Sequence, residues 1–259
     1  MALKYEFLAK RRFKMKHIIM TLIMFSLVLA GNPTGKNITY KIDGDKYEGY
    51  YISPSPEAPL VLIVHDWDGL TEYEVKRAGM LADLGYAVFA ADLYGKGIRP
   101  TEFKDKHARA TELYQDRAKM RTRLRGALKA AKKQKANVDN AVAIGYCFGG
   151  TAILEYARAG ATLKGFVTFH GGLDTPEGED YSQTKGEILV FHGSADASVS
   201  MEDFAHLAVE LETHKVPHEM IAYSGAPHAF TVFGSDRYRA DADKKSWNRF
   251  TQFLTEILD

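Results

Sequence analysis

Six apolar runs constrain the fold of this chain more than any single residue does. They read PLVLIVH (59–65), YAVFAAD (86–92), AVAIGY (141–146), GFVTFH (165–170), EILVFH (187–192) and HEMIAY (218–223). Most are apolar at consecutive positions, so both faces of each strand must be covered, and the intervening segments have helical spacing. That combination dictates an α/β architecture, a mostly parallel sheet with helices on both faces. Upstream, NITYKID and KYEGYYIS flank a Gly44-Asp45 pair. This pattern predicts an antiparallel hairpin and brings the sheet to about eight strands.

The helices are placed by their caps. Thr71-x-x-Glu74 is a capping box for a helix through Leu84, with Gly85 where a glycine terminates it. Ser200-x-x-Asp203 opens a second helix to about His214, and an amphipathic helix from about Ala240 to Ile257 closes the chain. Residues 102–135 form one long or broken helix that carries twelve Lys/Arg. Nucleic acid is not the expected partner. Beyond residue 30 the chain has 28 basic against 32 acidic residues and no nucleic-acid motif, so these cations read as a solvated face.

Residues 1–30 differ in kind. Six Lys/Arg against Glu6 precede an uncharged apolar run from Ile18 that ends in Val28-x-Ala30. This is the pattern of an export signal cleaved after Ala30, and the run is shorter than the ~20 residues a spanning helix needs. Met15 offers a second start, because the segment from there is a compact signal by itself. The expectation is a 1–30 signal peptide, or an uncleaved anchor as the one membrane contact. A single domain over 31–259 follows, exported to the periplasm or exterior, as a monomer or small homo-oligomer. One cysteine, Cys147, rules out an internal disulfide.

The chemistry centres on GYCFGG, residues 145–150. A nucleophile elbow needs a strand, a very tight turn and a helix, with small residues two positions either side of the nucleophile. Gly145-Tyr146-Cys147-Phe148-Gly149 meets this between a strand-like and a helix-like run. A sulfur at a helix N-terminus is expected to favour the thiolate. In α/β-hydrolase order an acid and then a histidine follow the nucleophile, and Asp196 and His228 stand on loops just past two later strands. The Phe148 N–H and the Trp67 N–H from HDWDGL are the expected oxyanion donors, and Asp66 is a carboxylate near the thiol that either holds it protonated at rest or takes its proton as substrate enters. His65, His170 and His192 also end strands, but their spacing matches no compact ligand set, so loop hydrogen bonds are expected and no metal or cofactor.

These residues resemble the dienelactone hydrolase family. The likeness rests on the G-Y-C-x-G-G elbow, the turn ADLYGKG, the G-x-x-D loop from Gly193 to Asp196, and PHAF around His228, and it spans roughly 36–259. It implies a Cys147–Asp196–His228 triad on an α/β-hydrolase fold. Three positions depart from the family: Asp66 stands where a glutamate is usual, and Lys96 and Val232 stand where arginines hold a substrate carboxylate. Without that planar clamp, a small dicarboxylate-like lactone is not the expected substrate.

The expected activity is hydrolysis of a small-molecule carboxylic ester or lactone through a cysteine thioester acyl-enzyme. Acyl transfer or thioester hydrolysis on the same triad, and a non-catalytic ligand-binding member of the fold, are the alternatives. The aromatic residues Trp67, Tyr94, Tyr146 and Phe148 fit either an apolar acyl pocket or the core.

Overall fold

The computed structural model describes residues 34–258; the signal segment, the alternative start at Met15 and the Ala30 site lie outside the described residues. Strands β1 (Lys36–Ile42) and β2 (Asp45–Ile52) pair antiparallel. The hairpin turn is Asp43-Gly44 rather than Gly44-Asp45, with φ of 50° and 92°. Both turn residues lie in the left-handed region, which an Asp-Gly pair tolerates and which matches the twist of the flanking strands.

Six further strands follow: β3 (Pro59–Val64), β4 (Ala87–Ala91), β5 (Asn137–Tyr146), β6 (Gly165–Phe169), β7 (Glu187–Gly193) and β8 (His218–Tyr223). The sheet order is β1-β2-β4-β3-β5-β6-β7-β8, and every pairing from β4 to β8 is parallel. The intervening helices are α1 (Glu72–Asp83), α2 (Phe103–Gln115), α3 (Arg117–Lys133), α4 (Phe148–Arg158), α5 (Met201–Thr213) and α6 (Ala240–Leu258). The 102–135 segment is therefore broken. Asp116 leaves helical geometry, and its side chain accepts from the Lys119 N–H to cap α3.

Alternation along each strand feeds two cores. Leu60, Leu62 and Val64 of β3 pack with α2, α3, α4 and α5, while Val61 and Ile63 pack with α1 and α6. Covering both faces is what allows the strands to be apolar throughout. Parallel register then sets Val64 beside Gly145, and Tyr146 beside Phe169, so the loops leaving β3, β5, β7 and β8 gather at one edge of the sheet. Open α/β sheets build their sites at that edge. Among the described residues no helix is long and apolar enough to cross a membrane.

Candidate active site

The elbow turns in one residue. β5 ends at Tyr146, α4 begins at Phe148, and Cys147 between them has φ 50° and ψ −113°. A non-glycine residue held there costs roughly 1–3 kcal/mol, so its surroundings must enforce the conformation. The Cys147 N–H donates to Phe169 O at 3.0 Å, and Cys147 O accepts from the Gly150 N–H at 3.0 Å and the Thr151 N–H at 3.2 Å. Glycine is required at Gly145 and Gly149 because backbones touch. A Cβ at Gly145 would lie 2.1 Å from the Gly149 carbonyl, and one at Gly149 would lie 2.3 Å from Val64 O.

The structure brings the three sequence-predicted side chains together. His228 Nε2 is 3.1 Å from Cys147 Sγ, and His228 Nδ1 is 2.8 Å from Asp196 Oδ2. The other Asp196 oxygen accepts from the Ser198 and Val199 N–H groups at 2.8 and 3.0 Å. Burial works against the Asp196 charge, but these bonds and His228 outweigh it and hold the carboxyl below its ordinary value. An ionised Asp196 keeps the proton of His228 on Nδ1 and leaves Nε2 free to accept from the thiol.

The three other strand-ending histidines take separate roles. His65 donates Nδ1–H to Asp66 O at 2.6 Å and accepts the Leu93 N–H at 3.1 Å, and burial pushes it down to about 4. His170 bonds Thr231 Oγ1 at 2.8 Å, and His192 stacks on Phe204 at 5.4 Å.

Asp66 changes the state of the thiol. Burial, and then the Asp66 carboxylate, push the Cys147 thiol well above its ordinary value, and the opposing pull of the Phe148 N–H is smaller. Of the two sequence expectations, a thiolate favoured by the helix N-terminus and a thiol held protonated by Asp66, this direction favours the second. Asp66 Oδ1 also accepts the Trp67 N–H at 2.5 Å, so one expected oxyanion donor is engaged at rest. Replacing Asp66 with asparagine removes the neighbouring charge. Alkylation of Cys147 by iodoacetamide at pH 7 is then expected to quicken, because the thiolate fraction rises.

Glu74 ties this loop to the first helix. Its carboxylate accepts from the Thr71 N–H at 2.8 Å within the capping box and from the Asp66 N–H at 3.2 Å. Burial raises Asp66 to about 6 and Glu74 to about 7. Both folded-state values lie above those of the unfolded chain, so between about pH 4 and 7 the folded state binds more protons. Stability accordingly falls as pH rises through that window and levels off above it, each group contributing on the order of 3 kcal/mol. Urea midpoints should decline from pH 5 to pH 8, and Glu74→Gln should flatten the decline; an unchanged slope in that variant would reject the assignment.

A cavity of about 580 Å³ opens over the triad, lined by Cys147, His228 and Asp66, by the rings of Trp67, Phe103 and Tyr114, and by Arg117 and Arg237. Of the four aromatics expected from the sequence only Trp67 lines it. Tyr94, Tyr146 and Phe148 are buried core, with Phe148 packed against His65, Tyr94 and Tyr114. Phe103 is 71% exposed and meets Trp67 edge-on at 5.4 Å, an apolar lip that no local motif announces.

The sheet order, the strained elbow and the Cys-His-Asp constellation define an α/β hydrolase. The model of the dienelactone hydrolase family matches residues 47–258. Among solved structures, a dienelactone hydrolase-like promiscuous phosphotriesterase, P91, from metagenomic libraries is 31% identical with a TM-score of 0.82, covering 88% of this chain and 100% of that one. A protein titled m3DLH is 32% identical with a TM-score of 0.83 and the same coverage. An Escherichia coli K12 protein that carries carboxymethylenebutenolidase as an assigned name is 24% identical over 226 residues, 82% of this chain and 83% of that one. The chain belongs to the dienelactone hydrolase family and is a hydrolase.

Proposed function

We propose that this hydrolase cleaves a carboxylic ester or lactone through a thioester on Cys147. The observation that carries the reading is the unbroken run from Sγ through the His228 imidazole to Asp196, set on a strained elbow at the floor of the cavity.

The resting thiol is protonated, so the first event is proton transfer from Sγ to His228 Nε2 as substrate enters. The sulfur attacks the carbonyl carbon and the carbonyl electron pair moves onto oxygen. Phe148 N–H receives that oxyanion, and Trp67 N–H joins it once Asp66 turns away. Collapse of the adduct expels the alcohol, or opens the lactone, and the leaving oxygen takes the proton from His228. Water then gives a proton to Nε2 and attacks the thioester, which releases the acid and restores the thiol. Asp196 stabilises the imidazolium in both halves.

The test is to mix the protein with p-nitrophenyl acetate, quench in acid during the burst and weigh the intact chain. One acetyl group on Cys147 is expected, absent in Cys147→Ala. Full turnover with no acyl adduct and no burst, under conditions where chemistry precedes a slow second step, would sink the thioester.

A further inference from the structure

Thr231 lies three residues past His228 and is fully buried. Its hydroxyl is 2.8 Å from the Tyr73 hydroxyl and 2.8 Å from His170 Nε2, and its carbonyl accepts from Arg77 Nη2 at 2.9 Å. Arg77 also donates Nε to the Tyr73 oxygen at 3.2 Å and is paired with Asp243. It is 1% exposed, with its guanidinium carbon 4.2 Å from the Phe233 ring centre and 5.0 Å from that of Trp247. Thus α1, α6 and the turn after β6 converge on one residue of the histidine loop.

The direction of this chain follows from its chemistry. A guanidinium only donates, so Tyr73 accepts from Arg77, and the Thr231 hydroxyl joins Tyr73 to His170 in a direction that the His170 tautomer sets. His170 is neutral in either tautomer. Burial, with the nearby His228 charge, does hold it well below its ordinary value. The His170 ring meets the His228 ring edge-on at 5.4 Å. Between the anchor and the catalytic side chain the backbone passes through Ala229 at φ 60°, a left-handed conformation that persists only when its surroundings over-determine it.

We propose that Thr231 is the positioning residue for His228: held at its hydroxyl by Tyr73 and His170 and at its carbonyl by Arg77, it fixes the loop that aims the imidazole at Cys147 Sγ. The inference rests on the reading of His228 as general base. Thr231 does not touch the cavity, so its loss misaims the base without altering substrate binding.

The experiment compares Thr231→Val, which keeps the shape and removes the hydroxyl, with Thr231→Ser, Tyr73→Phe and His228→Ala in the full chain. Turnover of p-nitrophenyl acetate is referred to active sites counted by the burst. For Thr231→Val, kcat per site should fall by about 10²-fold, the cost of misplacing a catalytic group by about 1 Å, while KM stays unchanged. Thr231→Ser should recover most of the rate. If Thr231→Val does not accumulate folded, Tyr73→Phe decides in its place, with the same split between kcat and KM expected. Native kcat per site in the folded variant, with only a lowered Tm, overturns the proposal and leaves Thr231 a structural residue. Native turnover in His228→Ala overturns the reading beneath it, whatever Thr231 does.

Discussion

Replacing Cys147 with alanine is expected to lower ester turnover by roughly 10⁴- to 10⁶-fold, and adding His228→Ala should cost little more, because the members of a triad act as one unit. The geometry gives the reason. His228 Nε2 lies 3.1 Å from Sγ with Asp196 committed to the opposite nitrogen, whereas the Asp66 carboxylate that the thiol also meets holds its proton in place. Steady-state rates of the two single variants and the double variant form the cycle that checks this. Strictly multiplicative losses, or a Cys147→Ala protein within tenfold of native, would show that the sulfur does not carry the reaction.

Gly145→Ala is expected to remove the fold rather than the chemistry. The added methyl would sit 2.1 Å from the Gly149 carbonyl carbon and oxygen, and backbone on both sides leaves nothing flexible to yield. Opening that contact pulls α4 from β5, and α4 is buried along its whole length. A loss above about 4 kcal/mol is anticipated, the range reserved for gross steric or core failures. The readout is recovery of soluble protein and, where any is obtained, the urea midpoint. Native-like stability would mean the elbow is looser than its contacts imply.

The strands and the triad were legible because both are encoded locally and in order. Consecutive apolar positions have one economical arrangement, and an elbow glycine pattern followed by an acid and a histidine past later strands leaves few alternatives. The hairpin turn slipped by one residue because Asp43-Gly44 and Gly44-Asp45 overlap, and only the backbone dihedrals separate them. The cavity wall was not legible. Phe103, Tyr114, Arg117 and Arg237 come from three places in the chain with no shared motif, whereas Tyr94, Tyr146 and Phe148 sit beside the motifs and fill the core instead. The state of the thiol was legible only as two alternatives. Helix dipole and Asp66 oppose each other, and depth of burial, which only the assembled structure supplies, decides between them.

Asp66 touches two things that a reaction needs separately: its charge keeps the sulfur protonated, and its Oδ1 fills the donor at Trp67. Moving that one short side chain would free the Trp67 donor and lift the carboxylate's share of the hold on the sulfur, while burial, the larger cause, remains. We propose that the arrangement acts as an interlock, in which the sulfur gains reactivity and an anion seat empties together when something displaces the carboxylate. A small electrophile that reaches Cys147 without moving Asp66 meets a thiol, not a thiolate. A preference for substrate over adventitious alkylating agents or peroxides is the consequence we expect of that one rotamer.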